Sequence, residues 1–145
     1  MDDEDLLAQF ESHTIPFELW RQHRTHVKVS FLMLRKYPFE LAVEKVKATI
    51  QAVNQANGVP EGPLEGYNET TTHALLHLID ATMRAYGEAC PTPDADTFCD
   101  THPQLATKHV LRLFYSPERR LHPDAKHAFI APDLAPLPRV VGKVN

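Results

Sequence analysis

Apolar residues recur at helical spacing along most of the chain. Leu6, Leu7 and Phe10 give an apolar edge to a short helix over residues 2–12, and its acidic start suits the helix dipole. His13-Thr14-Ile15-Pro16 reads as a turn, with Pro16 in the first turn of a second helix that runs to about residue 36. On that helix His23, His26, Val27, Ser30, Met33, Leu34 and Tyr37 share one side, and Arg21, Arg24, Lys28 and Arg35 the other. The charged side should face water and the histidine side should face inward. Pro38 opens a third helix, with a stripe of Phe39, Ala42, Val43, Val46, Ile50 and Val53 that ends at Asn57-Gly58. Residues 59–66, with Pro60, Gly62 and Pro63, form a loop. A fourth helix comes next, over residues 68–86, with Asn68 as N-cap and Gly87 as its stop.

The remainder is more broken. Residues 90–96 read as a proline-rich connection and 95–100 as a short helix. Pro103 opens another helix with Leu105, Val110, Leu113 and Phe114 on one side, and Ser116-Pro117-Glu118 carries the cap, proline and acid of a helix start. Pro123 divides the next stretch into short pieces. The tail from residue 131 holds Pro132, Pro136 and Pro138, so it should lie extended against the helices. There is no repeat and no strand pair. The expectation is one all-α domain over residues 1–145, with five to seven helices and an extended proline-rich tail.

Composition narrows the classes. At 145 residues and 43% hydrophobic, the chain can bury a core. A formal charge of −4 argues against nucleic-acid binding. No apolar run is long enough to span a bilayer, and the start Met1-Asp2-Asp3-Glu4-Asp5 is acidic where a secretory signal would be basic, so a cytoplasmic protein is expected. Cys90 and Cys99 are too few for a disulfide framework and should be thiols. Nine histidines is a high count for this length and directs attention to a site.

His23 and His26, one turn apart on an inward face, can approach one point; neutral imidazoles bind Zn, Fe, Ni or Cu, or exchange protons near neutral pH. Packing as satisfied core histidines is the alternative. Glu69, beside Thr72 and Leu76, could complete a metal site or accept a proton, or could simply favour the helix N-terminus. His73 and His77 share a face with Asp80 and Arg84 and read as surface residues. Cys90, Cys99, His102 and His109 have partial zinc-ligand spacing but no C-x-x-C knuckle, so buried thiols are expected. In Tyr115-Ser116-Pro117-Glu118-Arg119-Arg120 an arginine could grip a carboxylate or phosphate, or pair with Glu118, Asp124 or the tail.

The order Thr14-Ile15-Pro16, His23-Arg24-Thr25-His26-Val27, Gly66-Tyr67-Asn68-Glu69-Thr70-Thr71-Thr72, Tyr115-Ser116-Pro117-Glu118-Arg119 and Pro132-Asp133-Leu134-Ala135-Pro136-Leu137-Pro138 resembles a family of small, largely uncharacterised bacterial helical proteins. The resemblance covers nearly the whole chain. In the family pattern the second histidine motif reads Tyr-His-Glu-Thr, and it implies three histidines and a glutamate gathered between two helices. Only His23, His26 and Glu69 carry over; Asn68 stands where the family has histidine.

The expected function is a small-molecule enzyme with its site between the second and fourth helices. His23, His26 and Glu69 would be divalent transition-metal ligands or acid/base groups, and Tyr67, Asn68 and Arg119 would contact substrate. Lyase, isomerase or hydrolase chemistry fits, and a homo-oligomer is compatible. No glycine-rich nucleotide loop or G-x-S-x-G nucleophile motif is present. The alternative is a non-catalytic helical protein binding a ligand, metal or partner, with structural histidines.

Overall fold

In the computed structural model, residues 1–87, 89, 92–107 and 109–141 are described. The fold is all-α, with no strand among these residues. Helix α1 spans Asp3–Glu11, α2 Phe17–Trp20, α3 His23–Lys36, α4 Phe39–Ala56, α5 Glu69–Tyr86 and α6 Ala95–Thr101. Two 3-10 turns come next, Pro103–Leu105 and Val110–Leu113, then α7 (Pro117–Arg120) and α8 (Pro123–His127). Residues 128–141 form no helix or strand and bend at 133–135. No described helix is long and apolar enough to cross a membrane.

The expected second helix is two pieces. Pro16 leads α2, Trp20 closes it, and Gln22 is extended (φ −82°, ψ 131°) before α3 begins. Nothing between residues 20 and 23 is a helix breaker. Tertiary packing decides the break: Trp20 turns inward between Phe10, at 5.4 Å between ring centroids, and His26, at 4.2 Å.

Helix α3 is the centre of the fold. It packs against α1, α2, α4, α5 and α6, and Val27, Val29, Phe31, Met33 and Leu34 are all buried. The basic side faces water at Arg21, Arg24 and Arg35, as expected, and α6 pairs with part of it. Arg24 reaches Asp96 (3.0 Å) and Asp100 (3.1 Å), and Lys28 reaches Asp96 (3.1 Å) with 16% of its side chain exposed. Phe31 stacks on Phe98 beneath these ion pairs, at 4.5 Å.

The caps at α5 and α7 are those expected. Asn68 Oδ1 accepts the Thr71 N–H at 2.8 Å, and Ser116 Oγ accepts that of Arg119 at 3.1 Å. The single helix expected from Pro103 is replaced by the 3-10 turns. Within the second turn Val110 and Leu111 are inside, while Leu113 is 69% exposed.

The loop before α5 is pinned from the far end of the chain. Lys126 on α8 donates to the carbonyls of Glu65 (2.6 Å) and Tyr67 (2.7 Å) and pairs with Glu61 (3.0 Å). Glu61 accepts the Tyr67 N–H at 3.1 Å, curling around Gly66. Gly66 has φ +81°, and a Cβ there would overlap the Glu61 carboxylate. Gly58, which ends α4, has φ +66° with open space around it. Gly58→Ala should therefore cost about 1 kcal/mol, from its backbone conformation alone, and Gly66→Ala about 2 kcal/mol or more. Urea unfolding of the two variants checks the order; equal losses would mean that the Glu61 contact contributes nothing.

Candidate functional site

His26 lies on the first turn of α3 and lines a cavity of about 380 Å³ bounded by α2, α3, α4 and α5. Phe17, Trp20, Val46, Ile50, Leu75 and Leu76 make most of its wall apolar. Asn54, Tyr67, Asn68, Thr71 and Thr72 add polar groups, with Arg21 among the lining residues. Arg21 is engaged by Glu18 at 3.5 Å and lies over the Phe17 ring. Asn68 Oδ1 is committed to its cap, so any contact with a ligand falls to Nδ2.

The His26 imidazole has a buried Nε2 with no hydrogen-bond partner among the described residues. Burial is the main cause that pushes its pKa down, to about 4, and His23 adds to the shift; the Trp20 carbonyl opposes both. Since Nε2 has no partner, that carbonyl acts on the Nδ1 side. A neutral ring with its proton on Nδ1 carries a free lone pair on Nε2.

His23 turns to different work. Its Nε2 is 2.9 Å from the Leu105 carbonyl, which can only accept, so this nitrogen donates. The His23 and His26 rings meet edge-on with centroids 6.1 Å apart. His23 does not line the cavity.

Glu69 is on the far side of Tyr67. It accepts the Tyr67 hydroxyl (2.8 Å) and pairs with Lys47 (3.1 Å), in a groove that also holds Gln51, Gln55 and Lys126. Burial, then the Glu69 hydrogen bond, raises the Tyr67 phenol pKa. Tyr67 and Val59 line both hollows, whereas His26 lines only the cavity and Glu69 only the groove. The expected convergence of His23, His26 and Glu69 is therefore not formed. The three side chains do not share one space: His23 does not line the cavity, and Glu69 lines only the groove. Among the described residues no group of three or more His, Cys, Asp or Glu could hold a metal ion.

Arg119 belongs to the tail. Its Nε donates to the Ala131 carbonyl at 2.9 Å, and Ser116 holds Asp133 through its N–H (2.9 Å) and hydroxyl (2.6 Å). The hydroxyl of Tyr115 donates to the Ile130 carbonyl at 2.7 Å. The two late motifs thus bind each other, and Arg119 lines neither the cavity nor the groove. His73 and His77, expected at the surface, lie half-buried beneath the same tail. His73 packs on Phe129 at 4.2 Å, and His77 Nε2 lies 2.7 Å from the Pro138 carbonyl. Cys99 is a buried free thiol, as expected, and His102 packs between Tyr86 and Phe98. Cys90 lies outside the described residues.

Sequence reasoning missed Trp20 and Asn54 as cavity residues. Trp20 was legible as a large aromatic beside the histidine helix; Asn54 carries no signal beyond its polarity near the end of an apolar stripe.

No protein-family model, curated protein or solved structure matches this chain. The family likeness stands on the order of the motifs alone.

The low His26 pKa makes stability depend on pH. The unfolded chain protonates this histidine near pH 6.5, the folded protein only near 4. Between these values the unfolded state binds more protons, so stability falls as pH falls. The loss from His26 should be on the order of 3 kcal/mol across that window. His73 and His102, also lowered by burial, act in the same direction. Urea unfolding from pH 7 to pH 4.5 should give a slope that His26→Phe flattens; an unchanged slope would place the linkage elsewhere.

Proposed function

We propose that this protein binds a small, largely apolar molecule in the cavity between α3, α4 and α5, with His26 as a neutral hydrogen-bonding imidazole. The observation that carries this reading is the unpartnered, buried Nε2 of a ring that lines an apolar cavity of about 380 Å³. That volume is in the range of small-ligand sites, and a few polar groups on apolar walls are what fix a ligand's orientation. A buried acceptor without a partner is costly, and a small turn of the ring toward the cavity would let a ligand hydroxyl or amide satisfy it.

A second reading rests on the same ring: proton transfer by His26 in a lyase- or isomerase-type reaction. A pKa of about 4 makes the ring a weak base at neutral pH, which favours the binding role. Metal-dependent chemistry through His23, His26 and Glu69 would need the three to converge, whereas His26 lines the cavity, Glu69 lines the groove and His23 lines neither.

Trp20 is the sole tryptophan and lines the cavity, so its emission reports occupancy. Titration with 1-octanol should shift it saturably, with Kd below about 1 mM. Ile50→Phe, which fills the cavity, should weaken binding about tenfold or more. EDTA treatment of untagged protein should leave the affinity unchanged. Absence of a saturable shift would remove the small-molecule reading, and loss of binding on chelation would restore the metal.

A further inference from the structure

We propose that the ligand is an apolar molecule ending in a carboxylate, and that Arg120 holds the carboxylate just outside the cavity. This deepens the small-molecule reading above and rests on it.

A smaller hollow, of about 170 Å³, adjoins the cavity. The two share Gly66, Asn68 and Thr71, so these three residues form the boundary between them. The two spaces differ in chemistry. The cavity is walled mainly by aromatic and aliphatic side chains. The smaller hollow carries Arg120, His122 and Lys126 against a single acid, the exposed Glu65, with Leu64 and Leu121 beside them.

These three basic side chains are not equivalent. Lys126 is committed to Glu61 and to two backbone carbonyls. His122 Nδ1 accepts the Asp124 N–H at 3.1 Å and lies 3.7 Å from its carboxylate. Arg120, a half-buried residue, makes no ion pair or hydrogen bond among the described residues. The acids nearby in sequence do not take it: Asp133 is held by Ser116, and Asp124 lies against His122.

A guanidinium offers a planar fork of donors that matches a carboxylate, and half-burial strengthens the pair relative to an exposed one. At the boundary, Asn68 Nδ2 and the Thr71 hydroxyl remain to donate to the same head group, because the Asn68 oxygen is held by its cap. An apolar chain in the cavity with its acid at Arg120 satisfies both spaces at once. A neutral molecule uses only the first.

The test titrates the full chain with octanoate and with 1-octanol at pH 7.5, read by Trp20 emission. Octanoate should bind about tenfold tighter, the scale of one charge-assisted hydrogen-bonded pair. Arg120→Gln should abolish that preference and leave octanol affinity unchanged, which also shows the variant folded. Arg112→Gln removes the same charge at an exposed position outside these hollows, and should change neither affinity. Equal binding of octanol and octanoate, or an octanoate preference that survives R120Q, would overturn the inference and leave the cavity reading standing. An equal loss in R112Q would assign the preference to overall charge and overturn it too. If neither molecule binds below about 1 mM, the cavity reading fails and this inference with it.

Discussion

Burial of α3 on nearly every side is the constraint on which the other features depend. An 18-residue α4 and an 18-residue α5 can each present one apolar face, but α3 must be covered by several partners at once. Its aliphatic and aromatic residues take α1, α4 and α5, and part of its basic edge pairs with α6 through Asp96 and Asp100. The Phe31–Phe98 stack under those ion pairs means that α6 is held by apolar contact as well as charge. The exposed ion pairs contribute little by themselves, so the stack carries more of the docking.

The same constraint creates the cavity. Trp20 turns in to cover the start of α3, which stops α2 after one turn and leaves His26 beneath the indole ring. The walls on either side come from α4 and α5, which contact each other and α3. The segment Gly66-Tyr67-Asn68 closes the remaining side and borders three separate hollows. Its rigidity comes from Lys126, Glu61 and the α5 cap rather than from the segment itself. Neutral His26 on one wall and the engaged Glu69 behind Tyr67 therefore experience different surroundings, although they lie close to the same segment.

The tail has a structural part that the motifs alone left open. Ser116, Arg119 and Tyr115 hold Asp133, Ala131 and Ile130, while Thr70 bonds both Ala128 and Ile130. A chain with Pro132, Pro136 and Pro138 cannot build a helix or a strand ladder, so side chains and single backbone groups of its neighbours satisfy it instead. His73 and His77 serve that purpose on α5, which explains two of the nine histidines without chemistry.

The sequence by itself determined the long helices and their ends. Apolar spacing, Pro38, Asn68, Gly58 and Ser116 act locally, through backbone conformation and caps, and each is found where that local physics puts it. Inward placement of His26 was also legible, because helical periodicity fixes which side a residue occupies. Tertiary structure alone decided the break after Trp20, the turning of His23 to Leu105 and of Glu69 to Lys47, and the pairing of Arg24 and Lys28 with α6. Those outcomes depend on partners as many as 82 residues away, whose positions no local rule encodes. A spacing of three residues can bring two rings to one side of a helix, but which atoms they meet there is chosen by the surfaces that pack against it.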